Sequence, residues 1–207
     1  MRCTDFISLF LNLPISVGWN MFIPILHAHC YSCEEMGTTK EVLQQMNRRP
    51  GVSYPLLVPN TKGLEALLAL READEATTPR KLPLNEIAIF TAASDSFSKA
   101  NTNNTVKESI RALREVAREA RDAGVKVRGY VSTVISCPFE GPIAPSRVAD
   151  VVKELFEMGC YEVSLGDTIG TGTKSTVVAL LNEMARRGLP LDKMAVSDAS
   201  SFLLSQW

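Results

Sequence analysis

This chain has no excess of either charge. Lys plus Arg number 22 and Asp plus Glu 23, for a formal net charge of -1. That balance removes the electrostatic basis for binding nucleic acid. Cysteine is sparse, at five in 207 residues. Five is too few for a disulfide scaffold, and an odd count excludes complete pairing, so a reducing compartment is expected. Histidine occurs only twice, both times in the segment HAHCYSC at 27–33. What remains is ordinary: 45% hydrophobic and 22% charged residues. Such a composition excludes disordered, collagen-like and coiled-coil chains.

One absence is local. Between Asp5 and Glu34 there is no Asp, Glu, Lys or Arg, whereas the chain from Glu34 to Lys193 is densely charged. Residues 1–34 are therefore read as an aberrant apolar N-terminal segment. Residues 6–26 are long enough to span a bilayer. However, Pro14, Pro24, Asn12, Asn20 and Gly18 weaken a membrane helix there, so no span is assigned. A single Arg2 followed by Asp5 makes neither a basic signal region nor an Arg-rich transit peptide. His27, His29, Cys30 and Cys33 offer four soft ligands that invite a zinc reading. A structural zinc site usually pairs two such ligands with two from a distant segment, so no metal residue is assigned.

From Gly51 onward two periods alternate. Short apolar runs predict strands at 53–59 (SYPLLVP), 86–90 (EIAIF), 125–133 (VKVRGYVST), 161–167 (YEVSLGD) and 193–196. Helices are predicted at 61–71, then from the capping-box pattern Thr105–Glu108 to Gly124. Two more run from Pro145 to Gly159 and from Thr173 to Arg187. The last should turn Val177, Val178, Leu181, Met184 and Ala185 inward. Residues 72–83, with Pro79 and Pro83, read as a loop.

Regular β/α alternation with apolar strands predicts a parallel sheet covered by helices, either a (β/α)₈ barrel or an open doubly wound sheet. Polar groups follow each strand: Asn60 and Lys62; Ser94, Lys99 and Asn101; Ser136 to Glu140; Asp167 and Thr168. Polar strand ends on four successive loops favour the barrel. A whole barrel takes about 250 residues. The expected fold is therefore α/β, a partial (truncated) (β/α)₈ TIM barrel of about four units plus the start of a fifth strand.

SLGDTIGTGT at 164–173 delivers Asp167 to a glycine-rich loop. Thr173 stands where a P-loop requires Gly, and no third Gly completes a dinucleotide fingerprint, so nucleotide chemistry is excluded. Arg128 lies inside a strand and must meet a carboxylate, from protein or ligand. Cys137 and Cys160 read as small buried hydrophobes.

Taken together, SYPLLVPNTKG, FTAASDSFSKAN, VRGYVSTVISCPFEG and GCYEVSLGDTIGTGT resemble the 3-hydroxy-3-methylglutaryl-CoA lyases, in that order and spacing. That family sits in the metal-dependent barrel superfamily with isopropylmalate and homocitrate synthases. The resemblance covers about residues 35–196 and leaves 197–207 as a non-matching tail. It implies one Mg²⁺ or Mn²⁺, and cleavage of hydroxymethylglutaryl-CoA to acetyl-CoA and acetoacetate, in leucine degradation and ketogenesis. The metal would polarise the substrate hydroxyl and developing carbonyl while a base removes the hydroxyl proton.

Carried over by residue, the resemblance makes Asp167, Thr168 and Arg128 catalytic. It places Asn60, Lys62, Ser94, Lys99 and Asn101 on the substrate and CoA side. The family's Arg-Asp pair on its first strand has no counterpart before residue 35. Its His-x-His metal motif is expected just after Val196, where the chain reads Ser197-Asp198-Ala199. The expectation is that this chain does not bind the family's metal and is inactive as a lyase. A non-catalytic acyl-CoA-binding or partner-binding fragment is the alternative, and residues 6–33 as a small metal or membrane module is a third. An open sheet edge would promote homo-oligomers or aggregation. The resemblance implies a mitochondrial location; without a clear transit peptide the alternative is cytoplasmic.

Overall fold

The computed structural model describes residues 54–77 and 84–198, in two compact units that divide after Ile87. The N-terminal apolar segment, HAHCYSC and the last nine residues lie outside the described residues.

In the first unit, strand β1 (Leu56–Leu57) precedes helix α1 (Thr61–Thr77), and strand β2 (Glu86–Ala92) starts beside β1. Leu56, Val58, Leu64 and Leu67 are buried in this unit. Asn60 caps α1, its Oδ1 accepting the Gly63 N–H at 2.9 Å, which satisfies one of the free amides of the first turn. The helix continues past Arg71 into the stretch expected to be loop. The reason is local: residues 72–76 are Glu, Ala, Asp, Glu and Ala, mostly strong helix formers, and Pro79 comes only after them.

The second unit continues β2 through α2 (Asp95–Thr102), α3 (Val106–Asp122), β3 (Lys126–Ser132), β4 (Ser136–Cys137) and β5 (Gly141–Pro142). It then runs through α4 (Pro145–Glu157), β6 (Glu162–Asp167), α5 (Lys174–Arg186) and β7 (Met194–Asp198). Within it the sheet order is β2-β3-β6-β7, with β3–β6 and β6–β7 parallel. Strands adjacent in chain order, without the reversal of a doubly wound sheet, make this the succession of a (β/α)₈ barrel. The chain supplies part of one.

The helix starts expected from sequence hold. Thr105 accepts the Glu108 N–H at 3.2 Å while the Glu108 carboxylate accepts the Thr105 N–H at 2.8 Å, closing the capping box of α3. That helix buries Leu113, Val116, Ala117 and Ala120, and α4 buries Val148, Val151, Val152 and Leu155. On α5 the expected face is rotated. Leu180 and Met184 are buried, with Val177 and Leu181 partly covered, whereas Val178 is 46% exposed and Ala185 faces solvent. Spacings of three and four select 177, 180, 181 and 184 as one stripe, from which 178 and 185 fall away. Gly129 lets α4 approach β3: a Cβ there would stand 3.0 Å from Leu155 Cδ1 and 3.3 Å from Cys160 Sγ.

Two elements carried no clear sequence signal. The first is the short α2, tied to the start of α3 by the Val106 N–H donating to Asp95 Oδ1 at 2.8 Å. The second is the β4–β5 hairpin, in which Cys137 pairs antiparallel with Gly141. Strand β7 continues through Ser197 and Asp198, residues expected to open the tail.

Candidate functional site

In the second unit, β3 and β6 end side by side and their following residues interlock. Beyond β3 the chain turns at Thr133, fully buried and with φ at 58°. A β-branched residue in the left-handed region is a genuine outlier, at a cost of about 1–3 kcal/mol. Its bonds offset the strain. The Thr133 N–H donates to Thr168 Oγ1 at 2.8 Å, and its hydroxyl donates to the Ser132 carbonyl at 2.7 Å. On either side, Ala93 N–H donates to the Ser132 carbonyl at 3.0 Å and Val134 N–H to the Gly166 carbonyl at 3.2 Å.

Asp167 closes β6 and is 4% exposed. Its Oδ2 accepts the Gly172 N–H at 2.6 Å, while its buried Oδ1 has no hydrogen-bond partner. A buried carboxylate oxygen left unpaired is costly and marks a place where an acceptor is held ready. At Gly172 a Cβ would stand 2.7 Å from that Oδ2, so a larger residue there would displace the carboxylate. Thr168 is partly exposed beside it.

The residues assigned to the CoA side fall in different settings. Ser94 is fully buried; its hydroxyl donates to Cys137 Sγ at 3.0 Å and lies 3.5 Å from Thr133 Oγ1. That occupancy makes it a support for the hairpin rather than a surface group. Phe139 N–H also donates to Cys137 Sγ, at 3.4 Å. At the hairpin tip, Glu140 accepts the Ser96 N–H at 2.8 Å, at the start of α2, and the Arg147 guanidinium at 3.1 Å. The backbone N–H of Ser96, then Arg147, holds the Glu140 carboxyl below its ordinary value. Lys99 and Asn101 lie on exposed positions of α2, and Asn101 donates back to the Phe97 carbonyl at 2.9 Å. Asn60 and Lys62 belong to the first unit, where Asn60 caps α1 and Lys62 is exposed.

Arg128 stands apart from Asp167 and Thr168. It is buried, pairs with Glu162 across the β3–β6 register, and lies over the Tyr130 ring with 5.5 Å to the centroid. Glu162 begins β6 and Asp167 ends it. At a rise of ~3.3 Å per residue that separation is roughly 16 Å. The carboxylate that Arg128 required is thus supplied by the protein.

Strand β7 lies beside β6 with Ser197 opposite Gly166 and Asp198 opposite Asp167. Among the described residues no three His, Cys, Asp or Glu side chains gather as a metal site.

Residues 32–197 match the family described as HMGL-like. The chain belongs to that family. It is 45% identical over 162 residues to the mitochondrial hydroxymethylglutaryl-CoA lyase of Arabidopsis thaliana, which covers 78% of this chain and 32% of that protein. To the mitochondrial hydroxymethylglutaryl-CoA lyase of Bos taurus it is 43% identical, over 78% of this chain and 46% of that protein. Among solved structures it is similar to the HMG-CoA lyase of Brucella melitensis, at 44% identity and a TM-score of 0.67, over 78% of this chain and 52% of that one. The chain therefore spans about half or less of the length of these relatives.

As a member of the HMGL-like family, the chain brings Asp167, Thr168, Thr133, Ser94 and Cys137 together at one sheet edge, and leaves Arg128 out. Sequence reasoning missed Thr133, and gave Cys137 only a packing role. A left-handed threonine leaves no mark in composition or periodicity, and the Ser94–Cys137 bond spans two loops. At the end of β7 the Ser197 hydroxyl faces β6, its Oγ lying 3.8 Å from where a Gly166 Cβ would stand.

Proposed function

We propose that this chain is a hydroxymethylglutaryl-CoA-binding member of the lyase family that does not cleave its ligand unaided. The observation that carries this is the β6–β7 register, which sets Ser197 and Asp198 against Gly166 and Asp167. The resemblance expects a His-x-His motif at this point, and a neutral serine hydroxyl is a weak ligand for Mg²⁺ or Mn²⁺ beside carboxylate, carbonyl or water oxygens. The substrate-facing edge is retained. Asp167 Oδ1 is a free acceptor for the substrate hydroxyl, and Thr168 is accessible beside it. Carbon–carbon cleavage in the family is a retro-Claisen step in which the metal, when bound, supplies the Lewis acid. Relatives of the chain are named mitochondrial, which supports that compartment here.

Two measurements test this. Calorimetric titration with hydroxymethylglutaryl-CoA should show saturable binding. Acetoacetate formation with added Mg²⁺ or Mn²⁺ should stay at the no-protein level. Replacing Ser197→His together with Ala199→His should raise Mn²⁺ affinity, read directly by electron paramagnetic resonance. Acetoacetate above the control would establish the active-lyase reading instead, and absence of binding would defeat both.

A further inference from the structure

The junction between β3 and β6 fixes which way a hydroxyl points its proton. Of two non-glycine residues with positive φ among the described residues, Asn103 is of a type that tolerates it and Thr133 is not. That conformation turns the Thr133 N–H onto Thr168 Oγ1, at 2.8 Å. Thr133 is kept there from three sides. Its own hydroxyl is spent on the Ser132 carbonyl at 2.7 Å, the Ser94 hydroxyl stands 3.5 Å away, and the Val134 N–H is bound to the Gly166 carbonyl. Ser94 is itself held by Cys137 Sγ at 3.0 Å.

A threonine hydroxyl has one hydrogen to give and lone pairs to receive. Because Thr168 Oγ1 already receives the Thr133 N–H, its own hydrogen remains to be donated. Beside it, Asp167 Oδ1 can only accept while ionised. The edge therefore presents an adjacent acceptor and donor of set polarity. We propose that Thr133 is a positioning residue that fixes Thr168 as a hydrogen-bond donor to a carboxylate or carbonyl oxygen of the acyl group. This rests on the acyl-CoA reading above.

The test uses the full chain, titrated calorimetrically with hydroxymethylglutaryl-CoA and separately with coenzyme A, and hydrogen exchange at the Thr133 amide. Thr168→Ser keeps the hydroxyl and should bind hydroxymethylglutaryl-CoA within about twofold of the parent. Thr168→Val should bind it about tenfold more weakly, bind coenzyme A unchanged, and lose Thr133 amide protection. Thr133→Val loses the tie to Ser132 and should weaken binding likewise. Thr133→Asn, which tolerates a left-handed backbone, should restore it to within about threefold. If Thr168→Val loses amide protection yet binds as tightly as the parent, Thr133 is merely structural and the inference falls, with the acyl-CoA-binding reading intact. If the parent chain binds neither ligand, the acyl-CoA-binding reading falls as well.

Discussion

Arg128 illustrates how a buried cation is accommodated without a ligand. One guanidinium nitrogen pairs with Glu162 and the ring of Tyr130 covers the face, leaving Nε and Nη1 without hydrogen-bond partners. Removing one member of such a pair strands the other charge in a poorly solvated place. Arg128→Ala should therefore lower unfolding stability by about 3 kcal/mol in urea titration, while hydroxymethylglutaryl-CoA affinity measured on the folded protein stays within about twofold. A larger loss of affinity would return Arg128 to the binding site. Cys160 shows the opposite use of burial. Desolvation pushes its thiol up to about 12, only partly offset by Arg121. Iodoacetamide treatment of the native chain followed by peptide mapping should leave Cys160 unmodified until the protein is unfolded.

Among elements, α3 is the best specified. Its capping box and its stripe of Leu113, Val116, Ala117 and Ala120 agree on start and orientation, and the same Thr105 bonds hold the Glu108 carboxyl below its ordinary value. Thr105→Ala removes the side-chain acceptor for the Glu108 N–H and should cost about 1 kcal/mol, read from the urea midpoint at unchanged slope. The β4–β5 hairpin is held differently. It is fastened at its base by the Ser94–Cys137 bond and at its tip by Glu140 on α2 and Arg147. Its pairing is only two residues long on each side, so these side-chain ties do what a longer ladder would.

For the molecule as a whole, acid sensitivity follows from the lowered carboxyls. Glu183 is held to about 2 by hydrogen bonds from Arg186 and Arg187, and Glu140 and Glu108 are also lowered. Groups with a depressed folded value stabilise the fold above their ordinary value of 4.5 and lose that contribution as pH falls through the folded value. The urea midpoint should therefore hold steady above about pH 5 and decline from there toward about pH 2, and Glu183→Gln should flatten the lower part of that decline. A midpoint that rose on acidification would contradict these assignments. Arg186 is exposed and Glu183 and Arg187 are only partly covered, so solvent screening keeps the effect of this one group small.

How much of this was legible beforehand can be judged from particular residues. Alternating periods, the Thr105–Glu108 cap and the glycines after each helix place β2, α3, β3, α4, β6 and α5, because each signal is local: three or four residues of backbone chemistry decide it. The same holds for Asp167 and Thr168 at a strand end. Polar strand ends on successive loops already favoured the barrel, whereas the rotation of α5, the left-handed Thr133 and the identity of the Arg128 partner were not readable. Each depends on groups brought together from distant segments. Glu162 lies 34 positions from Arg128, and Cys137 lies 43 from Ser94. Local propensity told this protein where to bend and coil. Only side-by-side packing of β3, β6 and β7 decided that the Thr133 amide meets Thr168, which carboxylate oxygen of Asp167 stays free, and that residue 197 faces Gly166.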